Sequence, residues 1–281
     1  MKSIMEFLRK HSLSGYFILV FGLVWLWEIP MYGFMPYWEG YVLFLVIVSP
    51  SMIGLIMAYI TQGSWGLSSL IAKCVHWRIG MIWYLIALLV TPVLFFVTVF
   101  SMSQARTAFQ MPNPSFIWTY LSALAFGFFG TSIVEELGWR GFALPRLQQK
   151  YGPLIGTLIL GVLWAIWYIP SWFLTSRGVQ GNNLIETGVP FIQYAGSVLG
   201  SAFIYTWLFN RSNGSLLLSI LFHSSLNVTF SLFPSAFFPS LFQPDTFTHL
   251  FSKIGFLPVA ILVIIFTKGR LGYEYYQENI V

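Results

Sequence analysis

The sequence predicts an all-α, polytopic membrane helix bundle with about eight transmembrane helices, and three observations carry that expectation. Of the 281 residues, 57% are hydrophobic and only 8% charged, against about 25% charged in an ordinary soluble domain. The apolar residues gather into stretches near 15–36, 41–61, 80–102, 116–137, 153–173, 190–209, 215–232 and 254–267, most of them close to the ~20 residues needed to cross a bilayer. Lys and Arg also divide unevenly between alternate sides of such a bundle. Eleven (Lys2, Arg9, Lys10, Lys73, Arg78, Arg140, Arg146, Lys150, Arg211, Lys268 and Arg270) fall on one side, and three (Arg106, Arg177 and Lys253) on the other. Positive loops stay cytoplasmic, so this partition places both termini in the cytoplasm. An odd number of spans would scramble it.

Each element has its own justification. Met1 to Leu8 reads as a surface-lying amphipathic turn with Ile4, Met5 and Leu8 facing lipid. The run from Tyr16 through Trp25 and Trp27 to Glu28 and Pro30 lacks a small-residue cleavage site, so it is expected to remain as the first span. With eight spans the segment 67–78 is expected to form a cytoplasmic interfacial helix. Gly196 and Gly200 on the sixth span form a G-x-x-x-G pair suited to close helix packing, internal or between copies. No repeat, low-complexity tract or composition shift marks a second domain, so residues 1–281 read as one integral membrane unit with a chemical core at about 116–232. The net charge of +5 sets topology rather than recruiting nucleic acid. Cys74, the single cysteine, stands outside any C-x-x-C pattern and reads as an ordinary thiol.

Against this apolar background, two of the nine acidic residues, Glu135 and Glu136, sit side by side at the end of the fourth span. A carboxylate at membrane depth must face a polar cavity, pair with a cation or stay protonated, and is by default a functional-site candidate. Arg140, four residues on from Glu136, shares its helix face and can neutralise it. Glu135 points about 100° away, which leaves it as the candidate general base with Glu136 as its support. A structural ion pair tying the helix end to its neighbours is the competing reading. On the seventh span His223 and Asn227 are again four apart, two donors suited either to a developing oxyanion or to inter-helix hydrogen bonding. The fifth span contributes Trp164 and Tyr168, ahead of Pro170, residues that alone signify only a membrane interface.

Taken together, Glu135-Glu136-Leu-Gly-Trp-Arg140, the run from Trp164 to Pro170, and His223-Ser-Ser-Leu-Asn227 resemble the motifs of the CPBP family. That family includes the CAAX prenyl endopeptidases and the bacteriocin-processing or immunity (Abi) proteins. Its pattern is E-E-x-x-x-R, then an aromatic followed four residues later by His, then H-x-x-x-N or H-x-x-x-D. The resemblance implies an intramembrane endopeptidase in which the first Glu, here Glu135, and the second-motif His activate water, while the later His and Asn, here His223 and Asn227, stabilise the oxyanion. Tyr168 stands where the family has that second-motif His. A phenol donates a hydrogen bond but is a poor proton acceptor near neutral pH. Three readings stay open: a slower protease driven by Glu135, a degenerate member that binds without cutting, and an altered variant of an active parent.

The family's metalloprotease label raises zinc, but with Tyr168 in place of His and no H-E-x-x-H-like spacing, a metal is not expected. The implied partners are a lipid bilayer and a peptide or protein substrate at its surface, either a prenylated CAAX-type C-terminus or a bacteriocin-like peptide. The implied location is a bacterial plasma membrane. The chain's own end, Glu278-Asn-Ile-Val281, carries no CAAX cysteine. The rival classes are a non-catalytic peptide-binding or immunity protein, which Tyr168 favours, and a transporter, which would need broken repeated helices and a path through both faces.

Overall fold

With lipid around it, a chain this apolar must satisfy its backbone polar groups internally, and the computed structural model, which describes residues 2–34, 39–174, 184–242 and 255–277, shows helices and no strand among them. In order these are α1 (Lys2–Lys10), α2 (Ser12–Phe34), α3 (Glu39–Cys74), α4 (Met81–Phe100), α5 (Ala105–Ala108) and α6 (Phe116–Gly127). They continue through α7 (Ile133–Glu136), α8 (Leu144–Trp167), α9 (Ile169–Leu174), α10 (Leu184–Arg211), α11 (Leu216–Phe237), α12 (Phe256–Phe266) and α13 (Tyr273–Gln277). Two π-helical stretches, Phe128–Ser132 and Leu137–Ala143, flank α7 on either side.

Ser12–Pro30, Leu45–Cys74, Met81–Phe100, Phe116–Trp167 and Leu216–Phe237 are long and apolar enough to cross a membrane. The chain is therefore the polytopic all-α bundle that composition predicts. The fourth of these stretches runs for 52 residues and breaks at Gly152, whose backbone (φ 77°, ψ 166°) leaves the helical region. The expected fourth span and most of the fifth thus lie within it, separated by residues 138–152. The sixth expected stretch falls in the 28-residue α10, and the eighth in the 11-residue α12.

Two local expectations are corrected, and a third, open between internal packing and packing between copies, falls to the internal form. Helix α3 breaks at Gly63 (φ 65°, ψ −150°), so the segment expected as an interfacial helix over 67–78 is helical over 64–74 and irregular beyond. In α1, Ile4 and Met5 are exposed, but Leu8 packs onto the core instead of facing lipid. The Gly196 and Gly200 pair packs inside the molecule, because a Cβ on Gly200 would lie 2.7 Å from the Leu257 nitrogen and one on Gly196 would lie 3.4 Å from the Leu257 side chain. Arg177 and Lys253, used in the charge partition, and the terminal Glu278 to Val281 fall outside the described residues.

Carbonyls that prolines release are taken up by serine hydroxyls, in one case within a helix and in the other between two helices. Proline lacks an N–H, so the carbonyl four residues earlier loses its helical partner. Pro50 frees the carbonyl of Val46, and the Ser49 hydroxyl donates to it at 2.8 Å. Pro92 in α4 frees the carbonyl of Leu88, and Ser225 of α11 donates to it at 2.8 Å. A hydroxyl in hydrocarbon that finds such an acceptor fixes its helix in rotation and in depth.

Helix α3 also determines where the acidic motif lies. Gly138, in the π-helical stretch after Glu136, rests on the Pro50 carbonyl so closely that a Cβ there would collide with it. A Cβ on Gly54 would come within 2.9 Å of the Gly138 Cα. Ser51 bridges the two elements, accepting from the Gly138 N–H at 3.2 Å and donating to the Ile133 carbonyl at 3.2 Å. Because the obstruction is backbone, Gly138→Ala is expected to cost about 3 kcal/mol. Thermal unfolding of the detergent-purified variant measures this, and unfolding at the wild-type temperature would show the approach to be slack.

Candidate active site

Glu135 and Glu136 occupy a four-residue α-helical step between two π-helical stretches. A π turn inserts an extra residue per turn and re-aims the side chains around it, a device common at functional sites. Here both carboxylates point inward, with Glu135 5% exposed and Glu136 wholly buried.

Glu136 is the hub. Its Oε1 accepts from Arg140 Nη1 at 2.8 Å and lies 2.8 Å from His223 Nδ1, so one oxygen ties the fourth expected span to the seventh. Arg140 is also wholly buried. The centre of its guanidinium lies 4.2 Å from the Trp164 ring and 3.8 Å from the Tyr205 ring. Two aromatic faces replace the water a cation would otherwise hold, and the planar guanidinium suits this as an ammonium would not. The expected Glu136–Arg140 pair is therefore present in the structure. His223, expected beside Asn227, instead donates or accepts at Glu136. Which partner donates in that contact depends on the imidazole tautomer, and Nε2 is left as the ring's second functional atom.

Glu135 meets the fifth span. Tyr168, the first residue past α8, donates its hydroxyl to Glu135 Oε2 at 3.5 Å. Trp167 and Tyr194 pack edge-on to its ring, with centroids at 4.8 and 5.6 Å. The chain turns at this point: the Tyr168 N–H bonds the Ala165 carbonyl at 3.2 Å before α9 begins with Ile169 and Pro170. In α9, Ser171 donates a short hydrogen bond to Glu28 of α2. Glu28 is completely buried and is a third intramembrane carboxylate that the motif reading passed over. Its signal was visible, an acid within the first apolar run.

Asn227, half-buried, donates to Thr131 Oγ1 at 3.4 Å. Between it and His223 stand two serines that sequence reasoning treated as spacers. Ser224 donates to the Leu124 carbonyl of α6 at 2.7 Å, and Ser225 to the Leu88 carbonyl of α4 at 2.8 Å. These hydroxyls bracket α11 and set the rotation at which His223 reaches Glu136. The six residues singled out from the sequence thus form two contacting groups, Glu136 with Arg140 and His223, and Glu135 with Tyr168, with Asn227 held one turn away by Thr131.

The donor set does not fit zinc. A zinc site uses at least three protein ligands, and among the described residues no group of three His, Cys, Asp or Glu side chains could hold a metal ion. Glu136 spends its Oε1 on a guanidinium and an imidazole, and the group that reaches Glu135 from the fifth span is the phenol of Tyr168.

Comparison with known proteins falls on this same region. Residues 116–229 match the family model described as Type II CAAX prenyl endopeptidase Rce1-like. Over 96 residues the chain is 32% identical to CAAX prenyl protease 2 of Methanococcus maripaludis. That alignment spans 34% of this chain and 34% of the relative, so the chain matches about a third of the relative's length. The matched segment runs from the start of α6 to within α11 and includes all three motifs, and the family resemblance carried by those motifs is borne out.

Proposed function

We propose that this chain is an intramembrane endopeptidase of the CAAX prenyl endopeptidase type, in which Glu135 activates water for attack on a peptide bond near the cytoplasmic face. The observation that carries the reading is the meeting of three distant motifs: Glu136 contacts His223 across 87 positions of sequence, and Glu135 contacts Tyr168 across 33. The Rce1-like match over the same segment supports it.

The chemistry follows from these contacts. Glu135 takes a proton from water, and the resulting hydroxide adds to the scissile carbonyl carbon while the carbonyl oxygen becomes an oxyanion. The Asn227 amide is one donor for that oxyanion, and His223 is the other through Nε2, in the imidazole form that carries a proton on both ring nitrogens while Nδ1 rests on Glu136. The C–N bond then breaks, and the proton held by Glu135 passes to the departing amine. Arg140 pairs with Glu136, and Glu136 orients the imidazole. Tyr168 orients the water or the substrate through its hydroxyl. No metal takes part. Both termini lie on the cytoplasmic side, in keeping with the excess of Lys and Arg there.

The relatives' names point to a prenylated CAAX-type C-terminus as substrate. The purified protein, incubated in detergent with a farnesylated CAAX peptide, is expected to release the residues that follow the modified cysteine, and to act at least about tenfold more slowly on the unprenylated peptide. Mass spectrometry of the products reads both rates. Equal rates on the two peptides would remove the prenyl preference. A second reading, a non-catalytic peptide-binding or immunity protein, is favoured by one specific observation: the phenol of Tyr168 contacts the base directly.

A further inference from the structure

Where α10 and α12 end and α13 begins lies a cleft of about 360 Å³ lined by Trp207, Arg211, Phe266, Lys268, Arg270 and Tyr275, together with Thr267, Gly272 and Glu274. Three cations face one carboxylate across it. Among the described residues none of the three forms an ion pair, the only ion pairs there being those of Glu136 with Arg140 and His223. Lys268 and Arg270 are exposed and Arg211 is half-buried, so with Glu274 as the one carboxylate the cleft keeps an excess of positive charge that attracts an anion.

The cleft is also built to stay open. The Arg211 guanidinium is stacked on Tyr275 at 3.9 Å and faces Trp83 at 5.2 Å, which fixes its direction without consuming its N–H donors. The loop carrying Lys268 and Arg270 is pinned from beneath. Buried Asn210 donates to the Leu271 carbonyl at 3.0 Å, while exchanging two hydrogen bonds with Gln148 at 2.7 and 3.1 Å. The Leu271 N–H in turn bonds Thr267 Oγ1 at 3.2 Å. Loop and arginine therefore meet a ligand already in place, which lowers the ordering cost of binding.

The position identifies the ligand. The cleft opens where an apolar helix ends, with Ile265 and Phe266 exposed at 62% and 81% and the basic residues directly beyond them. A ligand entering there would meet apolar surface with one end and cations with the other. We propose that this cleft binds the phosphodiester headgroup of an anionic membrane lipid, with Arg211, Lys268 and Arg270 around the phosphate and the acyl chains along Phe266. Basic pockets between helix ends at the cytoplasmic leaflet bind such headgroups, and guanidinium groups match phosphate oxygens in pairs.

The test uses the full chain in nanodiscs, either all phosphatidylcholine or with about 30 mol% phosphatidylglycerol, followed by thermal unfolding. Phosphatidylglycerol is expected to raise Tm by roughly 3 °C or more. The Arg211→Gln/Arg270→Gln double variant is expected to lose the rise, while Lys150→Gln, an exposed charge outside the cleft, keeps it. An unchanged rise in the double variant would overturn the site, as would no rise in the wild type. A rise produced by inorganic phosphate in phosphatidylcholine discs, and lost in the double variant, would assign the cleft to soluble phosphate and overturn the lipid assignment. If the double variant unfolds early in every disc, Lys268→Gln alone, on an exposed side chain, gives the same reading with a partial loss.

Discussion

Glu135→Gln is expected to lower the rate of peptide cleavage by about a thousandfold or more, because it removes the one carboxylate of the site that is not engaged by a guanidinium. The substitution is nearly isosteric. Its amide oxygen still accepts from the Tyr168 hydroxyl, so the contact at 3.5 Å survives and the fold is expected to unfold at the wild-type temperature. Glu136→Gln behaves differently. Glu136 holds both Arg140 and His223 at 2.8 Å, and removing its charge leaves a wholly buried guanidinium uncompensated, at a cost of about 3–5 kcal/mol. The two adjacent glutamates are therefore separable: one variant is silent in catalysis and sound in stability, the other fails in both. Rates on a CAAX-type peptide with parallel unfolding curves measure the difference. A Glu135→Gln enzyme within tenfold of the wild-type rate would remove Glu135 as the base.

The separation of the two acids was partly legible in the sequence. Helical spacing alone assigns Arg140 to Glu136 and leaves Glu135 turned away, and in the structure Arg140 bonds Glu136. Spacing could not assign the third partner. His223 lies on another helix, and its contact with Glu136 depends on the rotation of α11, which Ser224 and Ser225 set by reaching carbonyls on α6 and α4. One of those carbonyls is free only because Pro92 cannot donate four residues later. Read in one dimension, the serines are filler between two motif residues and the proline is a tolerated oddity. Their joint role needs the third dimension. The apolar stretches were legible for a simpler reason: in lipid an apolar run has few alternatives to a helix. The breaks at Gly63 and Gly152 fall within two residues of boundaries the hydropathy had set, the end of the stretch 41–61 and the start of that at 153–173.

Tyr168→His is expected to raise the cleavage rate by about a hundredfold, with the gain in kcat rather than KM. In the present chain the phenol oxygen stands against Glu135 Oε2, near where an attacking water would have to lie between the base and a second group. An imidazole on the same backbone is shorter than a phenol, so it withdraws from Glu135 and opens that position. It also brings a nitrogen able to accept a proton, which the phenol does poorly near neutral pH. The surroundings accept the change. Tyr168 is bordered by the rings of Trp167 and Tyr194 and more distantly by Trp164, and none of these depends on a phenol hydroxyl. Tyr168→Phe supplies the complementary measurement: if the hydroxyl orients water in the wild type, its loss lowers whatever rate the wild type shows. A Tyr168→His protein that folds normally and still leaves the peptide intact, alongside an inactive wild type, would set aside the weakened protease and leave the peptide-binding reading in its place. A large gain that also disappears on adding Glu135→Gln would tie the new imidazole and the old carboxylate to one reaction.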